Sequence, residues 1–195
     1  MMTNKEIEQI SADVSQKYVN RGGSYKLFSK IIEKEGLKLR EIDSPNIKFL
    51  GALTFGNNSQ PYIMINKNIP NTGRKNFTIA HELGHFFLKH KSHSGSFECF
   101  ENDIIEDKQA TENIEHEANH FASCFLMPEQ RIVSAFRGML KYSKRTTNND
   151  FLFVNKENYG IWRNICDNLT KRFGISEAAL RYRLINLKLV EFDFD

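Results

Sequence analysis

The stretch His81-Glu82-Leu83-Gly84-His85 constrains this chain more than any other, because its chemistry works only on a helix. At 3.6 residues per turn, His81 and His85 share a helix face and can bind one metal ion. Glu82 then falls beside the open side of that ion, where the general base for a water belongs. The surroundings are apolar almost all the way round (Phe77, Ile79, Leu83, Phe86, Phe87, Leu88), which predicts a buried helix rather than a surface one. Two imidazoles and a carboxylate are costly to desolvate there, and a metal satisfies them. Gly84 costs helix propensity in mid-helix, and close approach of another backbone is the expected compensation.

A catalytic zinc site needs a third protein ligand and leaves the fourth position for water. The extended metzincin pattern would require Gly at position 88 and His at position 91, but the chain has Leu88 and Lys91. His90 and His93 are out of register for it and read as loop histidines. A better source is a second helix around Ile114-Glu115-His116-Glu117-Ala118-Asn119-His120-Phe121-Ala122. Ile114, Ala118, Phe121 and Phe125 form its core stripe, and Glu115 borders that stripe with Asn119 one turn on. Glu115 can reach the metal while Asn119 hydrogen-bonds a ligand histidine. Glu112 lies on nearly the same side and is the alternative ligand. Glu117 is about 200° round the helix from Glu115, so the two cannot face one ion. His116 and His120 have no neighbouring general base and read as surface residues.

Elsewhere the pattern predicts an α+β fold, mostly helical, as a single domain over 1–195. Ile7, Ile10 and Val14 space one helix before Gly22-Gly23, and Leu27, Phe28, Ile31 and Ile32 space a second that ends at Gly36. Leu37 to Ile42, Ile47 to Phe55 and Tyr62 to Ile65 read as strands, a small three-stranded sheet preceding the active-site helix. A turn at Gly56-Asn57-Asn58 joins the last two. Lys91 to Ser96 reads as a polar loop, and the chain after Pro128 as mostly helical, a subdomain (129–195) following the zinc-site half (1–128). An exposed sheet edge beside the metal would hold an extended peptide by main-chain hydrogen bonds.

The three cysteines (Cys99, Cys124, Cys166) are scattered, without a Cys-x-x-Cys pair, which argues against a disulfide scaffold. No 18-residue apolar run exists and the stretch from Met1 to Asn20 is polar, so neither a membrane span nor a signal peptide is expected, and the cytoplasm is the economical compartment. The net charge of +3 implies little, but its distribution is uneven. From Glu98 to Glu117 there are eight acidic residues and one basic; from Arg131 to Val190 there are twelve basic and four acidic. The acidic stretch would steer a basic substrate, and the basic stretch would contact nucleic acid through Lys141, Lys144 and Arg145. Residues 165–187 look like a helix-turn-helix: Gly174 makes the turn, Ser176 caps the next helix and Ile175 staples to Leu180. Arg181 and Arg183 would meet phosphates or bases if that helix is exposed.

Phe77-Thr78-Ile79-Ala80-His81-Glu82-Leu83-Gly84-His85, followed by Glu115-x-x-Ala118-Asn119-x-Phe121-Ala122 and Leu126-Met127-Pro128, resembles the ImmA/IrrE family of zinc metallopeptidases. The resemblance is specific from about Ile47 to Pro128. It implies a gluzincin-like site, with His81, His85 and Glu115 as zinc ligands and Glu82 as base. It departs at Lys89, where the family often carries a further histidine and where His90 is adjacent. It further implies a C-terminal segment packed on the catalytic core, and a helix-turn-helix repressor as substrate, its gene nearby, whose cleavage releases a stress-response, prophage or mobile-element operon. Charge asymmetry and family analogy together suggest single-stranded DNA as an activating signal. The rival expectation is a DNA-binding or repressor-sequestering regulator with a non-catalytic metal site.

Overall fold

A computed structural model describes residues 1–18, 24–91, 95–100, 112–144 and 150–193. Helix α1 (Asn4–Lys17) opens with a reciprocal cap: Thr3 Oγ1 accepts from the Glu6 amide at 3.3 Å, and Glu6 Oε2 accepts from the Thr3 amide at 2.7 Å. It buries Ile7, Ser11 and Val14. Helix α2 (Ser24–Lys34) runs to Gly36, whose φ of +66° suits a residue without a Cβ.

Strands β1 (Lys38–Ile42), β2 (Phe49–Phe55) and β3 (Pro61–Asn66) follow, at the places the alternation predicts. β1 runs parallel to β3, and β2 and β3 form an antiparallel hairpin around a short 3-10 turn at Asn57–Ser59. The sheet is larger than the expected three strands. A fourth, β4 (Ser96–Phe100), pairs antiparallel with β2 in the register Leu53↔Phe97, giving the order β1-β3-β2-β4. β4 comes after the active-site helix and begins at Ser96, the last residue of the expected polar loop.

Helix α3 (Thr72–Phe87) carries the motif and is capped by Asn71, whose Oδ1 accepts from the Arg74 amide at 3.0 Å. It packs on the sheet and on α4 (Glu112–Leu126). The backbone predicted to approach Gly84 belongs to Ala118 of α4: a Cβ at Gly84 would lie 3.1 Å from both the Ala118 Cα and its carbonyl oxygen. This close crossing is sealed by Leu83 and Phe121, both fully buried. Each contributes about 1.5–3 kcal/mol relative to exposure.

The remaining chain forms α5 (Glu129–Lys144), β5 (Leu152–Val154), α6 (Tyr159–Phe173), α7 (Glu177–Asn186) and β6 (Val190–Phe192). Short β5 and β6 pair in parallel, in a region expected to be mostly helical. Gly174, at φ +65°, ends α6 in the left-handed conformation, and Ser176 Oγ accepts from the Ala179 amide to start α7. The helix-turn-helix outline is therefore present, but its second helix is turned inward. Ala179, Leu180 and Leu184 join one apolar cluster with residues of α1, α3 and α4. Among the described residues no helix is long and apolar enough to cross a membrane.

Candidate metal centre

His81 and Glu82 are fully buried in α3, and His85 is 1 % exposed. The close crossing at Gly84 brings α4 alongside, so that Glu115 Oε2 lies 3.0 Å from His81 Nε2 and 3.4 Å from His85 Nε2. The two Nε2 atoms are 3.0 Å apart. His81 Nδ1 is 2.9 Å from Asn119 Oδ1, an atom that only accepts, so His81 carries a proton on Nδ1 and can turn an Nε2 lone pair to a metal. On the facing ring, Nδ1 meets His90 rather than water. Three donor atoms from two helices thus converge on one point, an arrangement that suits a metal ion. The residues fit zinc: two imidazole nitrogens and one carboxylate oxygen, with Glu82 alongside.

The electrostatics agree with that geometry. Burial holds the His85 pKa down at about 4, leaving the ring neutral and able to ligate. Burial also resists charge on Glu115, yet the adjacent His81 and His85 rings draw its pKa well below the carboxylate range. At His81 burial opposes protonation, but Cys99, Glu115 and Glu82 together raise its pKa well above the usual value. The cluster attracts positive charge.

Several side chains lie where the sequence does not place them. Cys99 reaches the site from β4: His81, Glu82 and Cys99 form a second, overlapping donor group. Burial raises the Cys99 thiol pKa, while His81 beside it pulls the other way. Phe97, two residues earlier on the same strand face, stacks on the His85 ring at 4.4 Å between centroids. The alternation Phe97-x-Cys99 is the one local signal for that face. His90 is not a free loop residue, since both of its ring nitrogens are engaged behind His85, by His85 itself and by Glu117.

Other expected residues fall away from the metal. His120, expected at the surface, is 2 % exposed and forms a separate group with Glu8 and Cys124. There the place of a cation is taken by Arg183, whose Nη1 lies 3.0 Å from Glu8 Oε1 and 3.2 Å from Cys124 Sγ. Arg183, expected to meet nucleic acid, also donates from Nε to the Met127 carbonyl and is buried. It locks the C-terminal helices to the core. Arg181 sits over the Phe192 ring, 4.0 Å from its centroid. Lys141 is exposed on α5. His93, Arg145 and the side chains of Glu112 and Lys144 lie outside the described residues, as does most of the acidic stretch.

A two-helix HExxH-plus-Glu centre packed on a small sheet defines a metallopeptidase-like domain. The chain belongs to the family described as IrrE N-terminal-like domain (Peptidase_M78), whose model matches residues 32–185. Comparison with curated proteins finds no match. Among solved structures, a Mycobacterium tuberculosis transcriptional regulator matches with a TM-score of 0.54 at 16 % identity, over 93 % of this chain and 46 % of its own. That likeness concerns the fold, and this chain spans less than half of that protein's length.

Proposed function

We propose that the chain is a zinc-dependent endopeptidase that cleaves a protein substrate, a helix-turn-helix repressor encoded nearby. The observation that carries the reading is the convergence of His81 Nε2, His85 Nε2 and Glu115 Oε2 with Glu82 buried beside them. Zinc held by His81, His85 and Glu115 would supply a Lewis acid for the peptide carbonyl and would lower the pKa of water toward neutrality. Glu82 takes the proton from the attacking water and passes it to the leaving nitrogen. Burial of Glu82 excludes bulk water from that transfer. Strand β4 lies at the end of the sheet order and, among the described residues, pairs only with β2. Its outer edge is suited to hold an extended peptide by main-chain hydrogen bonds, while its Phe97 packs on His85. Repressor cleavage, with release of a stress-response, prophage or mobile-element operon, rests on the family resemblance and is part of the proposal.

The test is incubation of the wild type and Glu82→Gln with the repressor encoded beside this gene, reading fragments by mass spectrometry. The amide keeps the shape of the side chain but cannot accept the water's proton, so cleavage is abolished while zinc is retained. Equal cleavage by both chains removes the mechanism. The inward packing of α7 argues against DNA contact through Arg183, because that side chain is committed to Glu8 and Met127. Activation by single-stranded DNA would fall to exposed Lys141 and its neighbours. Fluorescence anisotropy at two salt concentrations tests it, since each neutralised phosphate steepens the salt dependence.

A further inference from the structure

His85 can offer Nε2 to a metal only while its own proton sits on Nδ1, and the fold provides that proton with an acceptor. His85 Nδ1 lies 2.9 Å from His90 Nδ1. Two ring nitrogens at that distance share one proton, so one ring donates and the other accepts. The far side of His90 decides the direction. Its Nε2 lies 3.1 Å from Glu117 Oε2, a carboxylate oxygen that can only accept. His90 therefore carries its proton on Nε2, and the proton between the rings belongs to His85. Glu117 is fixed in turn, because its Oε1 accepts from the Met2 amide at 2.8 Å. The His90 and Glu117 side chains are 5 % and 6 % exposed, so water does not compete for these bonds.

The end of α3 puts His90 in place. Leu88 caps the helix and Lys89 adopts φ +57°. The His90 amide then donates back to the His85 carbonyl at 3.1 Å, and the Lys89 amide to the Phe86 carbonyl at 3.3 Å. This is a Schellman closure, and it folds the chain back so that His90 bonds His85 through both backbone and ring.

We propose that His90 and Glu117 are positioning residues of the metal centre: Glu117 fixes the tautomer of His90, and His90 fixes the tautomer and ring orientation of His85. The two histidine ligands are thus backed differently, His81 by the neutral amide of Asn119 and His85 by an imidazole–carboxylate relay. The relay makes His85 the more electron-rich donor. This rests on the metal-site reading above.

The experiment is zinc competition against a chromophoric chelator, together with two-bond 1H–15N spectra of the histidine rings. His90→Ala and Glu117→Ala should each weaken zinc binding by about 10–100-fold. His90→Asn should recover much of the loss, because its side-chain oxygen can accept from His85 Nδ1. Glu117→Gln should be milder than Glu117→Ala, because its carbonyl still accepts from His90 Nε2. In the wild type the spectra should show His85 protonated on Nδ1 and His90 on Nε2. If the alanine variants fail to fold, those wild-type spectra decide alone. Wild-type zinc affinity in folded His90→Ala and Glu117→Ala, or a His90 ring protonated on Nδ1, overturns the relay and leaves the metal reading standing. Failure of the wild type to bind zinc overturns both.

Discussion

His81 on α3 donates its Nδ1 proton to Asn119 Oδ1 on α4 across 2.9 Å, one helical turn beyond the point where Glu115 of the same helix meets the Nε2 of that ring. Both nitrogens of His81 are therefore addressed by one neighbouring helix, the first by an acceptor and the second by a proposed co-ligand. Any shift of α4 along α3 would disturb both contacts together.

Asn119→Leu should keep the fold while weakening zinc binding by roughly 10-fold or more, because the ring loses the acceptor that fixes its tautomer. Chelator competition on the purified variant reads this directly. Zinc affinity equal to that of the wild type would mean that α4 positions His81 through packing alone.

Two glycines should respond in opposite directions. Gly73 lies at the start of α3, where a Cβ would sit 2.2 Å from the backbone carbonyl carbon of Ile175. Neither backbone can give way cheaply, so Gly73→Ala should destabilise by about 3 kcal/mol, or roughly 6–12 °C in melting temperature. Gly138 lies within α5, and a Cβ added there would meet, among the described residues, nothing within 4 Å beyond its chain neighbours and its own helix backbone. Gly138→Ala should therefore stabilise by about 0.5–1 kcal/mol through helix propensity alone. Thermal melts of the two variants side by side provide the check.

The metal motif, its buried helix and the three strands before it are legible in the sequence because each has a strong period or a fixed spacing. Gly84 even signals the close approach of a second backbone, although not that Ala118 supplies it. β4 escapes because five residues carry only two inward positions, Phe97 and Cys99, separated by charged Glu98. β5 and β6 are three residues each, too short for any alternation to register. His90 and His120 differ from expectation for another reason. Their burial comes from partners distant in sequence, Glu117 for the first and the α1 and α7 residues around Glu8 and Arg183 for the second. No local pattern encodes such contacts. Arg183 is the clearest example: its spacing on α7 looks like a groove-reading arginine, while its guanidinium is spent on Glu8, Cys124 and the Met127 carbonyl.

Arg183→Ala should accordingly act on stability and not on nucleic-acid binding. Removing the guanidinium leaves Glu8 and the Met127 carbonyl without their buried donor, and breaking such a pair costs about 3–5 kcal/mol. The lower end applies, because the Glu8 side chain is 34 % exposed and water can partly replace the lost partner. Urea unfolding should show a lower midpoint, with unchanged anisotropy toward any oligonucleotide that the wild type binds. A variant of wild-type stability would show that the contact is incidental to docking of the C-terminal helices.

Acid should destabilise the metal-free protein over a defined window. Burial lowers the pKa of His85 to about 4, and burial also lowers those of His90 and His120, from an ordinary value near 6.5. Below 6.5 the unfolded chain takes up protons at these positions while the folded chain resists them, so the unfolded state binds more protons and stability falls as pH falls. The contribution of His85 is fully present above about 6.5 and is lost progressively as pH drops to about 4. His81 does not offset this, because its raised pKa leaves it protonated in both states below 6.5 and its effect is confined to higher pH. Chemical unfolding of chelator-treated protein at pH 7.5, 6, 5 and 4 should therefore show midpoints that decline mainly below 6.5. Zinc should steepen the decline, since protons and metal compete for the same nitrogen lone pairs. A flat profile between pH 7.5 and 4 would mean that these rings are hydrated and titrate freely in the folded chain.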